Sequence, residues 1–135
     1  MTMDIAIHDR VDLPDLIEAI GPRAHTAWWR VRGPVRYVAD VPIAALGVEK
    51  HGTGPWIDGP SFRSQMDSHH ILVDAVFEAS LPSEGELRSV WVTLRLVDGI
   101  WWEMYSSDVD VIARSQERFS DIRPARYTSS SVYNV

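Results

Sequence analysis

Cysteine is absent from the 135 residues of this chain, and lysine is nearly absent, with Lys50 as its one example. The lack of cysteine excludes a disulfide framework, a thiolate nucleophile and a cysteine-ligated zinc site. A chain without disulfides suits a reducing compartment, so we expect a cytoplasmic protein.

Long apolar runs are also missing. No stretch approaches the roughly 18 apolar residues that a membrane-spanning helix requires. The N-terminal residues do not form a basic region followed by an apolar segment. We therefore expect neither membrane insertion nor export.

Positive charge is in deficit. The chain has 19 acidic and 13 basic residues, for a formal charge of -6 at pH 7. This charge repels a phosphate backbone, although Arg23, Arg30, Arg32 and Arg36 lie close together in the sequence. We predict no binding of nucleic acid, and we expect a protein partner, with a basic one favoured by charge.

The remaining composition is that of an ordinary globular domain. Hydrophobic residues make up 45% of the chain and charged residues 24%. A chain of this length can bury one core but is too short for two, so a single domain over 1–135 is predicted.

Apolar residues recur at helical spacing in two segments and alternate in several others. Helices are predicted over 12–20 and over 107–119. Strands are predicted over 5–7, 26–32, 35–39, 69–80, 87–97 and 100–106, with Gly33-Pro34 interpreted as a tight turn. The predicted fold is a two-layer α+β domain, with a mainly antiparallel sheet of five or six strands and helices on one face.

Two segments have no clear period. Residues 47–66 are rich in glycine and proline and predict a long loop, of the kind that is functional or mobile. Residues 121–135 predict an extended or partly mobile tail.

Two helices can cover only one face of such a sheet, so the other face must be open, wet or matched to a partner. Alternation along the strands places Ala75, Phe77 and Leu94 in the core. The same alternation directs Glu78 and Arg95 to the second face.

The loop between the last two strands decides which residues of the final strand share this second face. A two-residue loop, Asp98-Gly99, would turn Glu103 into the core, which is unfavourable for a charged group. A three-residue loop that begins at Val97 avoids this and is predicted instead. It places Ile100, Trp102 and Met104 in the core and gives the facing pairs Leu96 with Ile100, Arg95 with Trp101, Thr93 with Glu103, and Trp91 with Tyr105.

The second face is predicted to be a binding surface. It collects indole, phenol and guanidinium groups, which dominate binding hot spots because they offer a large contact area at a small entropic cost. The predicted partner-binding residues are Trp28, Arg30, Arg32, His70, Asp74, Glu78, Trp91, Arg95, Trp101, Glu103 and Tyr105.

Motifs for catalysis or for a cofactor are weak. His69 and His70 are neighbours in a strand and point to opposite faces, so they do not share a metal ion. The glycine-rich stretch from Gly52 to Gly59 has no Lys-Ser/Thr ending of a phosphate loop. We predict no metal, no cofactor and no catalytic residue.

An acidic, tryptophan-rich domain suits the masking of a basic protein surface, because acidic groups steer the encounter and buried aromatic rings slow dissociation. The favoured function is an inhibitor or immunity-type protein that neutralises a toxin or enzyme. One alternative is a small-ligand-binding protein or a carboxylate-based hydrolase that uses Asp74, Glu78 or Glu103 on the same face. A homodimeric structural module is the other.

Overall fold

A computed structural model of the chain describes residues 3–37, 53–66, 72–82 and 89–125. The strands within these residues are β1 Met3–Ile7, β2 Trp28–Tyr37, β3 Ile57–Asp58, β4 Leu72–Ser80, β5 Val92–Val97, β6 Trp101–Ser106 and β7 Ile122–Pro124. The helices within them are α1 Leu13–Ile20, α2 Pro22–Thr26, α3 Gly59–Met66 and α4 Val109–Arg118.

The seven strands form one antiparallel sheet in the order β3-β2-β4-β5-β6-β1-β7. The predicted α+β fold is confirmed. The sheet is larger than expected because it gains the edge strands β3 and β7, of two and three residues. Strands this short carry too little alternation for a sequence pattern to reveal them.

The four helices pack on one face of the sheet. All four contribute to a single apolar core with alternate residues of the central strands. In this core the ring of Phe62 from α3 stacks on Trp29, with centroids 5.2 Å apart, and meets Phe77 edge-on. Met104 of β6 lies in the same core. The apolar sides of the helices therefore fix which face of the sheet is covered.

Local signals start α1 and α4 close to where the sequence predicts. Asp12 and Asp15 form a capping box at the start of α1, in which each carboxylate accepts a backbone N–H from the other residue. Gly21 ends this helix with a φ of 108°, a conformation that few other residues adopt. Asp108 caps α4 and accepts the backbone N–H of Asp110.

Two sequence-based expectations about connections need correction. Gly33-Pro34 is not a turn, because β2 runs through it and the irregularity appears as a register shift against β4 after Arg32. Proline is compatible with a strand at such an irregularity. The predicted loop over 47–66 is wrong from residue 57 onwards, where β3 and α3 form. Ser61 donates its backbone N–H to the Asp58 carboxylate and so starts α3.

Parts of the other predicted segments lie outside the described residues. The tail predicted over 121–135 begins as the strand β7, and residues 126–135 are outside the described ranges. Residues 47–52 of the predicted loop are likewise outside them.

The β5–β6 hairpin has a loop of three residues, as predicted, but displaced by one position. Val97 pairs with Trp101, and the loop consists of residues 98–100. Asp98 and Gly99 both have positive φ, of 53° and 65°, and Ile100 donates its N–H to the carbonyl of Val97. Ile100 is consequently expelled from the sheet and is 66% exposed, so its prediction as a core residue is wrong.

Candidate functional site

The face of the sheet opposite the helices carries mainly polar side chains in regular rows, and we call it the polar face. Its members pair across strands, so their side chains point to the same side. One row runs across β2, β4, β5, β6 and β1 as Arg30, Glu78, Thr93, Tyr105 and Asp4, and the next row as Arg32, Val76, Arg95, Glu103 and Ala6.

The displaced hairpin loop changes the cross-strand pairs between β5 and β6, but the same residues still lie on the polar face. Arg95 pairs with Glu103 instead of Trp101, and Thr93 pairs with Tyr105 instead of Glu103. The predicted facing pairs are therefore wrong by two residues along β6. A shift of two residues preserves side-chain direction, which is why the face assignment of Trp101, Glu103 and Tyr105 survives.

Glu78 anchors one end of the polar face. It is completely buried, and its Oε1 accepts a hydrogen bond of 2.8 Å from Nε of Arg30. Arg32 lies 3.9 Å from its other oxygen, which accepts no hydrogen bond from a described residue. Both arginine side chains keep about a quarter of their surface exposed, at 28% and 26%. The carboxylate is thus enclosed while the cations reach solvent.

Trp56 completes this end of the face. Its ring lies 4.3 Å from the guanidinium carbon of Arg30, a cation–π contact. Arg30 is therefore held from two directions, by Glu78 at its Nε edge and by Trp56 at its flat side. Trp56 is absent from the predicted site because it precedes β3, a strand too short for the sequence to show which residue it brings near Arg30.

Glu103 anchors the other end and is also completely buried. It accepts a hydrogen bond of 2.7 Å from the Tyr105 hydroxyl and a longer one of 3.4 Å from Nε1 of Trp101. Nη1 of Arg95 lies 3.8 Å away. Burial, reinforced by the adjacent carboxylate, raises the pKa of Tyr105 far above its ordinary value, so this hydroxyl remains a donor.

His8, which directly follows β1, adds an aromatic ring to this end of the polar face. Its ring stacks on Trp101 with centroids 5.2 Å apart and an interplanar angle of 14°. The indole thus has one edge on Glu103 and one flat side on an imidazole. Sequence analysis missed His8 because the pairing of β1 with β6, which brings the two rings together, leaves no local signal.

Trp91 does not belong to the polar face, contrary to prediction. It precedes β5 and turns towards the helix layer, where its Nε1 donates to the Asp108 carboxylate at 2.9 Å. The guanidinium of Arg23 lies 4.9 Å from its ring centre. The carboxylate that caps α4 offers a partner for the indole N–H, and this draws the ring away from Tyr105. The same indole bond and Arg23 lower the pKa of Asp108.

Three further predicted site residues have different outcomes. Trp28 lies on the polar face, half-buried, opposite Ser80 and Asp58. Asp74 is half-buried and accepts the backbone N–H of Asp98 at 2.9 Å, so it supports the hairpin. His70 lies outside the described residues.

Glu78 and Glu103 are both shielded from solvent and engaged by guanidinium, hydroxyl or indole donors. Within the described residues, no three histidine or carboxylate side chains are grouped to hold a metal ion. The same residues include no helix with the length and apolarity needed to cross a membrane.

Comparison of the chain with protein-family models, curated proteins and solved structures gave no match.

Proposed function

We propose that this chain is a protein-binding protein of the inhibitor or immunity type, which neutralises a toxin or enzyme by contact with the polar face. The observation that supports this most is the partial exposure of Arg30 and Arg32 around a fully buried carboxylate. Guanidinium and indole groups held in fixed positions lose little conformational entropy on binding, which is the property of a hot spot.

The energetics of the polar face support the same conclusion. A buried ion pair returns little stability, because desolvation of its charges offsets their attraction. A face built for stability alone would be better served by apolar residues, such as those on the helix side of the same strands. Two buried carboxylates that hold cations in place are therefore better explained by recognition.

The net charge of the whole chain affects how fast a partner approaches rather than how tightly it binds at the polar face. A formal charge of -6 favours approach of a basic protein in the cytoplasm. At the polar face, however, the groups that reach solvent include the arginines. We therefore separate long-range steering, which the whole chain supplies, from the local contacts that set affinity.

The test is affinity capture from an extract of the native host, followed by binding measurements with the purified captured protein. We expect Trp101→Ala to weaken binding by at least about thirtyfold, the effect of losing a hot-spot ring. Arg118→Ala is the matched control, because Arg118 is exposed on α4 on the opposite side of the sheet. It should leave the affinity within about twofold.

The alternatives give different results in the same set of measurements. Equal binding by Trp101→Ala and the parent chain would refute the polar face as the contact surface. In light scattering, the molar mass of the parent chain could instead double as its concentration rises while Trp101→Ala stays a monomer. That result would assign this face to a homodimer. Inhibition of the captured enzyme or toxin by the parent chain, and its loss in Trp101→Ala, would establish neutralisation.

A further inference from the structure

We propose that Arg30 is a receptor for a single carboxylate presented by the protein partner, and that Trp56 forms the wall of this receptor. The inference rests on the proposed function and deepens it by naming the chemical group that is recognised. It concerns the end of the polar face formed by β2, β4 and the residues just before β3.

The guanidinium of Arg30 has donors to spare. Of its five N–H groups, the one on Nε is used by Glu78 at 2.8 Å. The four on the terminal nitrogens make no hydrogen bond to any residue that the structure describes. The side chain is 28% exposed, so an incoming acceptor can reach them.

The position of this guanidinium is fixed before any partner arrives. Glu78 is enclosed and holds the Nε edge, while Trp56 covers one flat side at 4.3 Å. Glu78 is also 3.9 Å from Arg32, so its charge is shared between two guanidiniums. An arginine with its Nε edge and one flat side already engaged keeps its terminal edge for hydrogen bonding, and this edge can form two parallel hydrogen bonds with a carboxylate.

A carboxylate fits better than a phosphate for two reasons. Its two oxygens match the terminal edge of one guanidinium in one plane, and its single charge is repelled less by a chain that carries -6 overall than a dianion would be. The indole wall adds apolar contact for the methylene groups of an aspartate or glutamate side chain.

The inference is tested on the full chain without any partner. N-acetylglutamate-N′-methylamide, which has one side-chain carboxylate, is titrated into ¹⁵N-labelled protein at constant ionic strength. The glutamine analogue and inorganic phosphate are titrated in parallel. We expect the carboxylate to shift the Arg30 Nε–H and Trp56 indole N–H signals saturably, and the neutral glutamine analogue to leave them unchanged.

Two variants locate the effect. Arg30→Lys keeps a cation beside Glu78 but loses the planar fork, so we expect carboxylate binding to weaken by at least about tenfold. Arg63→Lys, on α3 and ion-paired with Glu18, is the matched control and should bind as the parent chain does. Circular dichroism and thermal unfolding confirm that both variants fold.

Three outcomes would overturn the inference: no saturable shift in the parent chain, equal carboxylate binding by Arg30→Lys, or tighter binding of phosphate than of the carboxylate. The comparison of the glutamate and glutamine analogues decides the matter in the parent chain even if Arg30→Lys is unstable. A captured protein that binds the parent chain and Arg30→Lys equally would refute this inference and leave the proposed function standing. Insensitivity of that protein to Trp101→Ala would refute the proposed function instead.

Discussion

Phe77 and Glu78 are consecutive residues of β4, both are completely buried, and the two faces of the sheet they occupy are built on different principles. Phe77 lies among aromatic rings, 5.9 Å from Phe62 and 6.0 Å from Trp102. Glu78 is enclosed by guanidiniums. The helix side stabilises the fold by removing apolar surface from water, whereas charge pairing on the polar face holds side chains in fixed positions.

Two side chains that are equally buried therefore stabilise the protein in different ways. Ring packing on the helix side depends on close contact but not on particular donor and acceptor atoms, because dispersion forces have no fixed direction. Charge pairs on the polar face require particular atoms at particular distances. A mutation on the helix side should therefore appear mainly as lost stability, whereas a mutation of a partly exposed group on the polar face should appear mainly as lost recognition.

The largest effect on stability is expected for Phe77→Ala, which removes a ring from the centre of the core. We predict a loss of about 3 to 5 kcal/mol in the free energy of unfolding, measured by urea denaturation. Ile100→Ala is the control, because Ile100 is exposed at the hairpin loop, and its effect should stay below about 0.5 kcal/mol. Similar losses in both variants would contradict the view that the helix-side core carries the stability.

The next effect is expected for Glu78→Gln, which keeps the shape but removes the negative charge from beside Arg30 and Arg32. Removing one partner of a fully enclosed pair costs about 3 to 5 kcal/mol. Both arginines can turn towards solvent, so we predict a smaller loss of about 2 to 3 kcal/mol in urea denaturation. An unchanged unfolding midpoint would show that the carboxylate does not hold this end of the face.

A smaller effect, dependent on pH, is expected at the start of α4, where Asp108 caps the helix. The indole bond from Trp91, together with Arg23, holds the pKa of Asp108 below its ordinary value in the folded chain. A carboxyl group with a depressed folded pKa stabilises the protein above its unfolded pKa, and this stabilisation is lost as the pH falls through the folded pKa.

Asp108→Asn keeps a capping oxygen but removes the charge. We predict that it lowers the free energy of unfolding by about 1 kcal/mol at neutral pH, and that the difference from the parent chain shrinks below about pH 4. Urea denaturation at a series of pH values measures this. A difference that persists unchanged into acid would show that the charge on Asp108 contributes nothing.

Much of the fold was predictable because its signals are local. Asp12 and Gly21 bound α1, and alternation in β4 and β5 separates the two faces. The rule that keeps Glu103 out of the apolar core gives the correct side of β6, although Glu103 is buried on that side as well. The loop boundaries at 33–34 and 57–66 were not predictable from the sequence, since glycine and proline are compatible with a bulge or a helix start as well as with a turn.

The site was predictable in composition but not in its contacts. Parity along a strand tells which face Arg30, Arg95 and Tyr105 share, but contacts depend on register and on rings that arrive from elsewhere in the chain. Trp56 and His8 come from outside the strands that were used to derive the face. Trp91 left the face because of Asp108, a partner on a different element.

The smallest effect on stability is expected for Glu18→Gln. This variant separates the contribution of burial from that of ion pairing. Glu18, like Glu78, stands near two basic side chains, with Arg63 at 3.5 Å and His25 at 3.4 Å, but half of its side chain is exposed. Water already stabilises its charge, so we predict a change below about 0.5 kcal/mol in urea denaturation that disappears in high salt. A loss equal to that of Glu78→Gln would mean that ion pairing stabilises this protein regardless of burial, and the distinction drawn between the polar face and an ordinary charged surface would fail.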